Sequence, residues 1–174
     1  MVRRLLIMLA ILGWIPAAAS ASALVAIDPG HGGGDSGARG VLPPETYTGL
    51  EPRTDGDGRT LILEKDVNLD VAFRLTHYLV TRGYGTILTR NTDNAGGDVP
   101  YTNVNADLQS RVRIANDANA TLFVSIHHNA LSATATGTET YHYYYSSTRS
   151  KALAQVLHRH MLGALGLPDR GVRT

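Results

Sequence analysis

Short apolar runs alternate along this chain with stretches of helical periodicity. Leu24-Val25-Ala26-Ile27 stops abruptly at Asp28-Pro29-Gly30 and reads as a buried strand. Tyr84 to Thr89 and Thr121 to Ile126 read as two more, the second apolar enough to be central. Thr138 to Tyr145 is aromatic and β-prone. Between them, Val67, Val71, Leu75, Tyr78 and Leu79 recur at spacings of three and four, which predicts one face of a helix from Glu64 to Arg82 with Gly83 as its cap. A second helix is expected over Asp107 to Ala118. A third is expected over Arg149 to Leu165, with Leu153, Val156, Leu157 and Met161 as its apolar face and Leu167-Pro168-Asp169 as its stop. The glycine-rich segment His31 to Gly40 and the turn-rich segment Asn91 to Asn105 are loops, and residues 41–60 read as a long inserted loop. This alternation predicts an α/β fold: a single three-layer domain with a mainly parallel twisted sheet flanked by helices.

The start of the chain changes the domain count. Arg3-Arg4, the apolar run Leu5 to Ile15 and the small residues Ala17 to Ala23 have the order of a secretory signal peptide over residues 1–23. The apolar run is shorter than the roughly 20 residues a comfortable membrane span needs, which disfavours an uncleaved anchor. Residues 24–174 then form the folded domain, exported to a periplasm or to the cell wall and outside, with no stable membrane anchor after cleavage. The chain has 16 basic and 15 acidic residues; loss of Arg3 and Arg4 leaves 14 against 15. Such a balance gives no reason to expect nucleic acid as a partner. There are no cysteines, so a disulfide framework and zinc thiolate sites are both excluded, and any metal must be held by histidines and carboxylates.

Candidate chemistry gathers where the strands end. His31 follows the first strand, His127 follows the strand ending at Ile126, and Glu64 opens a helix. Loops beyond the carboxyl ends of parallel strands are where such folds place ligands. Two neutral imidazoles and one carboxylate suit Zn²⁺ and leave a position for water. Spacing by itself is a weak signal, since no H-E-x-x-H is present. Bland readings stand beside it. The glycine loop could cradle a phosphate, although no G-x-x-x-x-G-K-[ST] or G-x-G-x-x-G occurs. Glu64 could serve only the helix dipole. His128 should point away from His127 on an extended segment. His77 and His158 read as surface residues, His160 as half-buried, and His142, set among tyrosines, as sheet packing. Asp28 could orient the His31 imidazole or cap the turn. Asn68, one turn after Glu64, and Asn129 could hydrogen-bond a ligand or the substrate. Arg111 reads as structural.

The motifs around these residues carry more. Asp28-Pro29-Gly30-His31-Gly32-Gly33, Glu64-Lys65-Asp66-Val67-Asn68-Leu69, Thr89-Arg90-Asn91-Thr92-Asp93 and Ser125-Ile126-His127-His128-Asn129-Ala130 resemble, in this order, the zinc-dependent N-acetylmuramoyl-L-alanine amidases. Several ordered motifs together are more specific than any one of them. The resemblance covers about residues 24 to 174, interrupted by the 41–60 insertion. It implies that His31, Glu64 and His127 ligate Zn²⁺. It also implies that the substrate is the peptidoglycan amide bond between N-acetylmuramic acid and L-alanine, and that an activator protein is a possible partner. It further implies a catalytic glutamate within a V-E-x-G-F segment. None follows Val172, so that glutamate, with at least one strand and one helix, is expected beyond Thr174. Glu139 is the weak substitute inside this chain. The alternative is a non-catalytic, zinc-binding domain for peptidoglycan recognition or regulation.

Overall fold

A computed structural model describes residues 23–42, 53–128 and 136–174. The signal peptide expected over residues 1–23 therefore falls, all but Ala23, outside the described residues, as do the middle of the 41–60 insertion and Asn129. In chain order the elements are β1 (Leu24–Pro29), β2 (Arg39–Leu42), β3 (Arg53–Thr54), β4 (Thr60–Leu63), α1 (Glu64–Val80), β5 (Gly85–Leu88), α2 (Val104–Asp117), β6 (Leu122–Ile126), β7 (Thr138–Tyr141), α3 (Thr148–Leu165) and β8 (Asp169–Arg173). They form two compact units, divided between His128 and Asn129.

The first unit is built on a parallel sheet of order β5-β1-β6. β1 is central because Val25, Ala26 and Ile27 are apolar and buried on both faces. Alternation sends Val25 and Ile27 toward Ala72, Leu75 and Leu79 of α1, where Leu88, Leu122, Val124 and Ile126 complete the core. The opposite face carries Ala26 and Asp28, and α2 reaches Asp28 through Arg111. Helices thus flank a parallel sheet, as the alternation of elements predicts.

The stripe buried by α1 differs from the one its aliphatic residues suggest. Glu64, Lys65, Asn68, Leu69 and Ala72 are buried, whereas Val71 and Tyr78 are exposed. Burial of the polar members is possible because each finds a partner in the loop after β1. α2 begins at Val104, ahead of the expected Asp107, because Asn103 caps it by accepting from the Ala106 N–H at 3.0 Å. Within the described part of the segment expected as a loop, β2 and β3 pair antiparallel with β4.

The second unit packs α3 on a parallel pair, β7 and β8. Ser147 caps α3 at its start, and Gly166 closes it in the left-handed region at φ 63°. The helix buries Ala154 and His158, while Val156, Leu157 and Met161 are exposed, contrary to the apolar face expected. His158 is therefore not a surface residue. Its ring bridges Thr140 Oγ1 at 3.2 Å and Asp169 Oδ1 at 2.8 Å. His160, expected half-buried, is exposed. β7 stops at Tyr141, so His142 lies beyond the sheet in which it was expected to pack.

Candidate metal centre

The first unit brings three distant residues to one point. His31 stands on the loop that leaves β1, Glu64 is the first residue of α1, and His127 follows β6. His31 Nε2 lies 3.2 Å from Glu64 Oε1, His127 Nδ1 lies 3.2 Å from the same oxygen, and the two nitrogens are 3.2 Å apart. Ligands on a tetrahedral zinc-like ion sit about 2.0–2.2 Å from it, so their mutual separations are about 3.3–3.6 Å. The observed triangle fits one face of such a tetrahedron. The donor set also fits, since two imidazole nitrogens and a carboxylate oxygen converging on one point are donors that a zinc-like ion accepts. His31 and Glu64 are largely shielded, but the His127 side chain is 48% exposed, so the centre opens toward solvent on that side.

The loop backbone explains how the rings approach. A Cβ on Gly30 would fall inside the His127 imidazole, and one on Gly37 would meet His31 Cδ2 and Glu64 Oε2 at 2.6 and 2.7 Å. Glycine at these positions makes room for the candidate ligand side chains against the main chain. His31 itself has φ 61°, a left-handed conformation that costs a non-glycine residue on the order of 1 kcal/mol or more. Hydrogen bonds hold it there. Gly30 N–H donates to Ile126 O, Gly32 and Asp35 exchange a backbone pair, and Arg111 Nη2 donates to His31 O at 2.7 Å.

Charged side chains buried under the loop complete the support. Arg90 donates to the carbonyls of Pro29, Gly30, Lys65 and Thr92. Arg111 bonds Asp28 Oδ1 at 2.8 Å, Asp107 at 3.0 Å and Pro29 O at 2.7 Å. Lys65 Nζ donates to Gly33 O and pairs with Asp93. Burial pushes the Arg90 guanidinium down to about 10, helped by the neighbouring charge of Arg111. Burial acts on Arg111 in the same direction, but Asp28 and Asp107 outweigh it and leave its pKa raised. Both remain cations at neutral pH.

Orientation of the candidate ligands comes partly from unexpected residues. Asp35 Oδ2, not Asp28, accepts from His31 Nδ1 at 2.9 Å, which leaves Nε2 with a free lone pair facing the centre. Asp28 is instead occupied by Arg111, Thr89 Oγ1 and Ser125 Oγ. Glu64 Oε2 accepts from Ala38 N–H at 2.9 Å and Oε1 from His128 N–H at 2.8 Å. Burial opposes its charge, yet the bond from His127 and these two backbone donors prevail and bring its pKa down to about 2. The Asn68 side chain is fully buried and makes no hydrogen bond to the Glu64 carboxylate. It donates to Gly30 O, and its Oδ1 lies 2.7 Å from His128 Nδ1. His128 thus contributes a backbone donor to the centre while its ring turns to Asn68. Glu139 belongs to the second unit. Its side chain is buried and accepts from Arg170 Nε at 3.2 Å, with Arg173 Nε at 3.3 Å, an ion-pair setting. Sequence reasoning missed Asp35, Lys65 and Arg90. The available signal was the position of Arg90 directly after an apolar strand, where only a fully hydrogen-bonded guanidinium can be buried.

A family model described as N-acetylmuramoyl-L-alanine amidase matches residues 25–174. The chain belongs to that family. This amidase-family chain is similar to the germination-specific N-acetylmuramoyl-L-alanine amidase of Bacillus subtilis (strain 168), with 38% identity over 112 residues, covering 62% of this chain and 39% of that protein. It is also similar to N-acetylmuramoyl-L-alanine amidase LytC of the same organism, 38% identical over 150 residues, covering 85% of this chain and 24% of the relative. Among solved structures, the catalytic domain of CwlV, an N-acetylmuramoyl-L-alanine amidase from Bacillus (Paenibacillus) polymyxa var. colistinus, is 33% identical. It superposes with a TM-score of 0.61 over 87% of this chain and 69% of that one. The amidase-family chain therefore spans well under half the length of the two curated relatives.

Proposed function

We propose that this chain carries the metal centre of a zinc-dependent hydrolase that cleaves the amide between N-acetylmuramic acid and L-alanine in peptidoglycan. The observation that supports this most is the triangle of His31, Glu64 and His127, with 3.2 Å edges and an open side at His127. A zinc ion held there would supply Lewis acidity toward an amide carbonyl and acidify water at neutral pH. Asp35 fixes the His31 tautomer, and the two backbone donors keep Glu64 ionised. Asp28, Arg90, Arg111 and Asn68 hold the loop that aims His31. Asn129 stands next to this cluster in sequence and is proposed to contact substrate. Residues 1–23, acting as a cleaved signal peptide, would direct the domain to the periplasm or to the cell wall and outside, where the substrate lies. Among the described residues no helix is long and apolar enough to cross a membrane.

The purified chain should hold about one zinc that His31→Ala removes, and whatever release of stem peptides from peptidoglycan it shows should depend on that metal. Hydrolysis that survives chelation or the His31→Ala change would sink the proposal. A second reading has a specific observation in its favour: Glu139, the candidate base within the chain, is tied to Arg170 and Arg173. On that reading the domain binds zinc and recognises or regulates peptidoglycan without cutting it. One zinc per chain, sacculus binding and no peptide release would select it.

A further inference from the structure

The turn between β7 and α3 presents a group of side chains that neither the metal centre nor the packing of the second unit uses. Tyr143, Tyr144 and Tyr145 follow one another and are 71%, 70% and 79% exposed. Tyr141, at the end of β7, is 59% exposed. Aromatic rings are normally among the largest contributors to buried area, and three consecutive ones left in water form a surface that suits a ligand. The rings are not splayed at random. Tyr144 and Tyr145 meet edge to face at 4.9 Å, and Tyr143 and Tyr145 at 5.7 Å. Their backbone is fixed from beneath. His142 N–H donates to Arg173 O of β8, Ser146 N–H donates to Tyr143 O, and His142 Nδ1 lies 3.0 Å from both Ser146 Oγ and Tyr143 O. A preset turn lowers the ordering cost that a flexible aromatic loop would pay on binding.

The geometry points to a platform for the glycan strand of peptidoglycan, on which Tyr143, Tyr144 and Tyr145 stack against pyranose rings. This rests on the reading that the chain acts on peptidoglycan. The choice of tyrosine carries the assignment. An aliphatic or lipid-seeking patch would use Leu, Ile or Phe, but the five residues 141–145 include four tyrosines, while the whole chain has two phenylalanines. A sugar ring offers an apolar face of C–H groups rimmed by hydroxyls and amides. A tyrosine matches it with a π face and a phenol that donates and accepts. Stacking on a repeating sugar also needs no peptide sequence, so the platform would grip the strand independently of which stem peptide is cut.

The test uses the full chain and two probes: glycan strands stripped of peptide, and N-acetylglucosamine oligomers. Simultaneous Tyr143→Ala, Tyr144→Ala and Tyr145→Ala changes should weaken binding of both about tenfold or more, with metal content and thermal melting unchanged. The matching triple Phe variant should bind more tightly than the alanine variant and more weakly than the wild type, because it keeps the stacking faces and loses the phenol hydrogen bonds. Unaltered glycan binding by the triple alanine variant would overturn the inference. So would a loss confined to isolated stem peptides. A loss of self-association in sedimentation velocity, with glycan binding intact, would identify a second copy of the chain as the occupant instead and overturn it as well. His31→Ala separates this inference from the function it rests on. It should abolish metal binding and hydrolysis while leaving glycan affinity within twofold, and a parallel loss of glycan affinity would overturn the platform.

Discussion

Asp35 orients His31 in the proposed metal centre. It contacts no ligand atom that faces the centre, yet it decides which nitrogen of His31 carries the proton. Asp35→Ala should reduce zinc affinity about 10–100-fold, read by competition with a chelating dye, with little change in melting temperature. Arg111 is the opposite case. It and Asp28 are both buried, so Arg111→Leu strands a charged carboxylate and should cost about 3–5 kcal/mol in thermal or denaturant unfolding. Adding Asp28→Asn should restore part of that loss, and a double-mutant cycle measures the coupling. Asp93 brings pH dependence. Burial alone would raise its pKa, but Lys65 and then Arg53 outweigh burial and leave it below the ordinary 3.8. A carboxylate depressed in the folded state stabilises fully above its unfolded value, and that contribution is lost as pH falls from there through the folded pKa. Melting curves of wild type and Asp93→Asn should therefore differ most above about pH 5 and converge in strong acid, with salt reducing the gap because Asp93 is partly exposed.

At the level of elements, α1 and the loop before it are one construction. No side chain caps α1; its first N–H groups donate to Ala38 O and Ser36 O, and Glu64 returns a bond to Ala38 N–H. Glu64, the candidate ligand at the first position of α1, is thereby locked by the same loop that carries His31. Periodicity alone missed this, because it scores aliphatic residues and so favoured Val71 and Tyr78 over Lys65 and Asn68 for the buried face. Polar residues can be buried only where specific partners exist, and those partners come from a loop 26 or more positions away. α2 is capped more conventionally. Asn103→Ala should cost about 1 kcal/mol in unfolding experiments and leave zinc content unchanged, since the cap is exposed and distant in role from the ligands.

For the whole molecule, His31, Glu64 and His127 all lie in the first unit, and Glu139 lies in the second. Glu139→Gln should lower the melting temperature by weakening its pairs with Arg170 and Arg173, and should leave zinc stoichiometry at wild-type value. An unchanged rate of amide release in that variant would exclude it as the base, whereas loss of hydrolysis with zinc retained would make it one.

Much of this architecture was legible beforehand. Apolar runs and 3.6-residue spacings located β1, β5, β6 and the three helices, because burial of a continuous core imposes those periods on any sequence. The three ligand candidates were legible through the words around them, D-P-G-H-G-G above all, and not through their spacing. β2, β3 and β4 were not legible, since short antiparallel strands among prolines and glycines leave little alternation to read. The chain by itself determined which residue types were available: no thiolates, two imidazoles at strand ends, and glycines where backbone must yield to a ring. Only the tertiary structure decided which of them meet. The partner of a buried charge or a ligand is set by distance in space, so Asp35 in place of Asp28, Arg90 under the loop and His158 inside its unit became visible only once the strands were side by side.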